Sequence, residues 1–113
     1  MNGWIGVDLD GTLAHYSPND HICHIGRPIG SMLDKVKLLL RSGIKVKIYT
    51  ARATYGRSQV NMIQDWLQQN GLPRLEVTNK KDFHMIECWD DRAIQVVTNE
   101  GRFVESNLVS SYD

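Results

Sequence analysis

Short apolar runs that alternate with amphipathic helical stretches constrain this chain more than any other feature. Trp4 to Leu9 (Trp-Ile-Gly-Val-Asp-Leu) is an apolar run of strand length that is about to end. Met32, Leu33, Val36, Leu39 and Leu40 recur at i, i+1, i+4, i+7 and i+8, the spacing of one helix face. Ser31 is placed to cap that helix and Gly43 to end it. Ile44 to Thr50 alternates instead, with Ile44, Val46 and Ile48 on one side and Lys45, Lys47 and Tyr49 on the other. Two lysines are unusual in a strand buried on both faces. Ser58 to Asn70 gives a second helix with Val60, Ile63, Trp66 and Leu67 on one face, stopped by Gly71 and Pro73. Leu75 to Val77 and His84 to Trp89 are two further strands. Ala93–Val97 and Arg102–Glu105, flanking Asn99-Glu100-Gly101, predict a terminal hairpin. Strand–helix alternation of this kind predicts an α/β fold, a Rossmann-like three-layer sandwich around a mainly parallel sheet.

At 113 residues the chain fits one domain spanning positions 1–113. That length hides roughly two-thirds of the unfolded surface, enough for a core without disulfide staples. Residues 15–30 are polar and carry Pro18, Gly26, Pro28 and Gly30, so they read as a loop or short flap. Thirteen basic residues balance 13 acidic ones, which gives no overall electrostatic footprint for nucleic acid but leaves room for a local patch. No apolar run approaches ~18 residues, so no membrane span is expected. No secretory leader is visible, and Cys23 and Cys88 form no disulfide framework. A reducing cytoplasm is the expected compartment, and nothing points to an obligate protein partner.

Ligands of parallel α/β sheets bind beyond the carboxyl ends of the strands, so the residues ending each strand carry the functional information. The first strand ends Asp8-Leu9-Asp10-Gly11-Thr12-Leu13, the second Tyr49-Thr50-Ala51-Arg52, the last Cys88-Trp89-Asp90-Asp91-Arg92. Lys80 and Lys81 precede the last strand. Each is ordinary alone: an acidic turn, a β-branched strand end, a solvated lysine pair. Together they bring four carboxylates, a hydroxyl and a lysine to one sheet edge. Converging carboxylates repel unless a proton or cation intervenes. Oxygen ligands favour magnesium, which is commonly held by one or two carboxylates plus a phosphate. A carboxylate can attack phosphorus, a second can act as acid and base, and a hydroxyl and a lysine can hold phosphoryl oxygens.

Asp8-Leu-Asp10-Gly-Thr12-Leu13 resembles the first motif of the haloacid dehalogenase superfamily, Thr50 the second, Lys81 (or Lys80) the third and Asp90-Asp91 the fourth. They occur in order, and the resemblance covers Trp4 to about Val97. It implies Asp8 as nucleophile, Asp10 as general acid and base, and Thr50 and Lys81 as phosphate contacts. It implies Mg2+ held by Asp8, the backbone carbonyl of Asp10, and Asp90 or Asp91. An Asp at position 10 matches the phosphatases of that superfamily. The 15–30 segment leaves room only for a flap, and the stretch from Thr50 to Lys81 holds no cap domain, so the chain is similar to capless members. Those have open sites that take bulky phosphorylated substrates, such as a nucleotide or an oligonucleotide end. Arg52 and Arg57 are candidates to grip a second phosphate or a nucleic-acid backbone.

Several other readings are weaker. A response-regulator receiver also combines an acidic pair, an Asp, a Thr and a Lys, but its accepting Asp ends the middle strand, where this chain has Thr50. His15, His21, Cys23 and His24 match no common zinc spacing. Gly26-Arg-Pro-Ile-Gly30-Ser lacks the lysine of a P-loop. Cys88 alternates toward the strand core and is expected to be a buried, inert thiol. A non-catalytic phosphate-binding or regulatory protein on the same fold is the alternative to a phosphatase.

Overall fold

The computed structural model describes residues 3–19 and 21–104. In chain order they form β1 (Trp4–Val7), α1 (Gly30–Arg41), β2 (Lys45–Tyr49), a 3-10 helix (Ala51–Tyr55), α2 (Arg57–Gln69), β3 (Val77–Thr78) and β4 (Met85–Trp89). The four strands make one sheet in the order β3-β2-β1-β4, and every pairing is parallel. The α/β class with a parallel, Rossmann-like sheet therefore holds. No helix among the described residues is long and apolar enough to cross a membrane.

All four residues of β1 are buried, as a strand with neighbours on both edges requires. The register pairs Ile5 with Val46 and Val7 with Ile48, so these four side chains share a face. Val36 of α1 and Ile63, Trp66 and Leu67 of α2 join them in one core cluster with Leu9 and Leu13. Both helices thus cover the same face. Of the three layers expected, the described residues supply the sheet and this helical layer.

The opposite face explains the odd lysines. Trp4 is only 1% exposed although it points away from the helices. Lys47 lays its ammonium 4.4 Å from the Trp4 ring centroid and 3.4 Å from the Glu76 carboxylate. The Trp4 indole N–H donates to Asp82 at 3.0 Å. The lysine and a loop therefore roof the indole, and the ammonium, on a side chain only 12% exposed, is neutralised by Glu76.

The sequence placed Cys88 in the core, and the structure corrects this: the thiol is exposed. Trp4 pairs with Met85 but Ile5 pairs with Glu87, so Ile86 is a bulge residue that reverses the alternation of β4. Trp89 is thereby turned to the Val7 side, where it packs on the core, and Cys88 lies beside Gly6 on the face without helices. The first helix starts at Gly30 with Ile29 in the capping position, so Ser31 lies inside it and caps nothing. The terminal hairpin is present among the described residues: the antiparallel bridge Val96–Phe103 is flanked by Val97 N–H to Arg102 O and Val104 N–H to Gln95 O, both at 2.9 Å. Glu105 lies outside the described residues.

The flap is tied to the core by backbone. Ala14 bridges Pro28, His15 N–H donates to Arg27 O at 2.9 Å, and the Trp66 indole donates to Gly26 O at 3.0 Å. A Cβ on Gly26 would stand 2.1 Å from the His15 carbonyl oxygen, a backbone atom that cannot step aside. Gly26→Ala is therefore expected to lose about 1–3 kcal/mol, as overpacking does. A fall in the urea midpoint at constant m-value measures it, and an unchanged midpoint contradicts the tight approach.

Candidate active site at the carboxyl ends of the strands

Asp8 follows β1 directly, and its N–H still donates to Trp89 O at 2.9 Å, as if the strand continued. The chain then turns hard, with the amides of Thr12, Leu13 and Ala14 all donating to Leu9 O at 3.2, 2.9 and 2.9 Å. Gly11 makes this turn possible. Its φ is +89°, and a Cβ there would meet the Asp91 carboxylate at 2.6 Å. The turn carries Thr12 back under the carboxylates. Its hydroxyl lies 3.3 Å from Asp8 Oδ2 and 3.2 Å from Asp91 Oδ1, and it accepts from the Asp91 N–H at 3.0 Å. One hydroxyl proton serves one carboxylate at a time. Thr12 thus ties the end of β1 to the segment after β4.

Asp8, Asp90 and Asp91 each offer an oxygen within 4.8 Å of the others. Burial pushes the Asp8 carboxyl up to about 7, helped by the Asp90 charge and by the hydrogen bond and charge of Asp91, against the Leu9 N–H. A carboxylate in such surroundings is neutralised by a proton or a cation. The oxygen-only donor set suits a hard divalent ion. His21, Cys23 and His24 are exposed on the flap, where His21 Nδ1 accepts from the Cys23 N–H at 3.1 Å.

Asp10 belongs to a different network. Arg52 grips it with two parallel bonds, Nε to Oδ2 at 2.8 Å and Nη2 to Oδ1 at 2.9 Å. Nη2 also donates to His24 O, and Nη1 to Ile22 O, both at 2.7 Å, and to Gln59 Oε1 at 3.2 Å. These contacts use all five guanidinium donors. Arg52 is 8% exposed and leaves no donor for an incoming phosphate. Its expected role in gripping substrate is thus replaced by one of fixing Asp10 and the flap. Gln59, a polar residue on the core side of α2 that periodicity alone does not mark, is buried beside it and also donates to Ile22 O at 3.2 Å.

Thr50 follows β2, is buried, and accepts from the Arg52 N–H at 3.1 Å, which starts the 3-10 helix. Asp8, Asp10, Thr50, Arg52 and Asp90 all line one cavity of about 560 Å³. Tyr16, Tyr49, Tyr55, Thr54, Asn79 and Arg92 complete most of its wall. Asp91 meets the group from the Thr12 side. Neither lysine lines this cavity. Lys81 lies in a neighbouring hollow with Met85, Ile86 and Cys88, and Tyr49 borders both spaces. Burial and the charges of Asp90 and Asp8 push the Cys88 thiol up, against Lys81. Lys80 is exposed and its N–H donates to Thr78 Oγ1 at 3.0 Å, while Arg57 is exposed at the start of α2. Arg92, which in the sequence only flanks the acidic pair, joins it in lining the cavity.

Fold and site together define a parallel α/β domain with clustered carboxylates at its strand ends. No protein-family model matches the chain, and no curated protein does. Among solved structures it is similar to a conserved protein from Bacteroides thetaiotaomicron, with 21% identity and a TM-score of 0.60 over 79% of this chain and 75% of that one. At that identity the likeness concerns the fold alone.

Proposed function

We propose that the chain is a magnesium-dependent phosphomonoester hydrolase that works through an aspartyl-phosphate on Asp8. The observation that carries this reading is the meeting of Asp8, Asp90 and Asp91 oxygens within 4.8 Å, at the edge of a cavity also lined by Asp10 and Thr50. The order of motifs in the sequence, which resembles the haloacid dehalogenase superfamily, supports it. An Asp8 oxygen attacks phosphorus, the bond to the ester oxygen breaks, and the electron pair leaves with that oxygen. Asp10 supplies the proton that the leaving oxygen needs. Asp10 then takes a proton from water as it attacks the acyl phosphate, which frees phosphate and restores the Asp8 carboxylate. Thr50 and Arg92, which line the cavity, would hold phosphoryl oxygens. Lys81, given that role by the resemblance, lines the neighbouring hollow and not this cavity. Asp8 and Asp90, with Asp91, would hold the cation. When bound, magnesium offsets the mutual repulsion of the carboxylates and their repulsion of a phosphate dianion.

The test is phosphate release from p-nitrophenyl phosphate and from alkyl phosphomonoesters, with magnesium and with excess chelator. Magnesium-dependent release is expected, and no release from any ester would end the proposal. Asp90→Ala is expected to raise the magnesium concentration for half-maximal activity at least about tenfold and to lower kcat. In chelator it should melt no lower than wild type, because one charge facing Asp8 is gone. An unchanged magnesium dependence would reduce the late acidic pair to a charged turn.

A further inference from the structure

We propose that the open edge of β4 joins two copies of this chain in a symmetric dimer; the inference stands apart from the phosphatase reading above. β4 has a strand neighbour on one side only, so its other edge is unpaired within the sheet. A hollow of about 600 Å³ lies along β4, walled by its Met85 and Cys88 and by Tyr49 of β2. Phe83 lines the same hollow and is 107% exposed, so its ring packs on nothing among the described residues. Ile86 is 52% exposed in the same wall. Bare apolar side chains gathered at a hollow mark a surface that another molecule covers.

The patch is complementary to itself in shape and in charge. It carries a projecting ring and a hollow side by side, so a two-fold axis between two copies seats each Phe83 in the other's hollow. Lys81 and Glu87 both line the hollow, and among the described residues no ion pair engages either one. Glu87 Oε1 accepts from the Trp89 indole at 2.8 Å, which leaves Oε2 for a contact outside the chain. Asp82, the other acid of the hollow, is committed to the Trp4 indole and the His84 N–H. The same axis brings Lys81 of each copy to Glu87 of the other, and each contact is made twice. A purely acidic or purely basic partner would leave one of these two groups facing its own sign, whereas a second copy answers both.

The experiment is analytical ultracentrifugation of the full chain over a dilution series. Wild type is expected to sediment as a dimer with a Kd of about 10 µM or tighter, within the range of interfaces of ordinary size. Phe83→Asp should weaken the dimer by at least about 30-fold, the loss expected of a central aromatic anchor. Glu87→Lys and Lys81→Glu should each weaken it by setting like charges against each other, and the double exchange should recover most of the loss. Maleimide labelling locates the interface. Cys88 should react several-fold more slowly in the dimer than in the dilute monomer, whereas Cys23, exposed on the flap, should react alike in both. A wild type still monomeric at about 100 µM overturns the proposal. So does a dimer that leaves Cys88 as reactive as in the monomer, or one that the double exchange fails to restore. If Phe83→Asp melts lower than wild type, the charge exchange and the labelling decide without it.

Discussion

Replacing Asp8 by Asn is expected to reduce phosphate release by at least about 10⁴-fold and at the same time to raise the melting temperature in chelator at pH 8. The first effect follows from chemistry: an amide is no nucleophile toward phosphorus, and losing a nucleophile removes nearly all of the chemical step. The second follows from the environment of the carboxyl. Asp8 titrates at about 7 in the folded chain against 3.8 in the unfolded one. Between these values the folded state holds the extra proton, so its advantage is complete below 3.8 and is lost as pH rises through about 7. Metal-free wild type should therefore lose stability from pH 5 to pH 8, and Asp8→Asn should lose much less. The two should converge as pH falls toward 3.8, because only there is Asp8 protonated in both the folded and the unfolded chain and so little different from Asn. Magnesium should restore wild type at pH 8 and do little for the variant. A folded Asp8→Asn protein with most of its activity would refute the nucleophile. Parallel melting curves from pH 5 to pH 8 would refute the environment.

Much of this site was legible because a parallel sheet converts strand ends into neighbours. Asp8 and Asp90-Asp91 are about 80 residues apart, yet β1 and β4 run side by side and their carboxylates meet. Placement on adjacent parallel strands suffices for that inference. Cys88 escaped the same logic because one bulge residue, Ile86, reverses the faces of an edge strand. Periodicity in a five-residue strand carries no sign of it. The terminal hairpin was legible from its turn: Asn99-Glu100-Gly101 reverses the chain, and Val96 and Phe103 form an antiparallel bridge across it. Arg52 was located and its role misassigned. Two of its acceptors are backbone carbonyls in the flap, at Ile22 and His24, and carbonyls leave no mark in a residue pattern. A signal did exist in Thr50-Ala51-Arg52: a Thr two residues before a structured amide favours a tight turn, which draws the arginine inward.

That inward arginine gives the second large effect. Arg52→Ala would strand the Asp10 carboxylate, the Gln59 amide oxygen and two flap carbonyls together. Removing one partner of a largely buried ion pair commonly costs about 3 kcal/mol or more, so this variant is expected to melt many degrees lower. Arg52→Lys is the more informative change. It keeps the charge but has three donors on a point-like group and cannot reproduce the two-bond fork. If Arg52 acts by holding Asp10 in place, Arg52→Lys should lower kcat at least about tenfold on an alkyl phosphate, whose leaving oxygen needs a proton. On p-nitrophenyl phosphate the burst of nitrophenol should suffer much less, because that leaving group departs without help. KM should move little in either case, since no guanidinium donor faces the substrate. An Asp10→Asn background should absorb most of the Arg52→Lys effect, as expected for two residues in one network. A rise in KM with kcat unchanged on both esters would instead restore Arg52 to direct substrate binding. It would mean that the clamp on Asp10 opens when phosphate arrives.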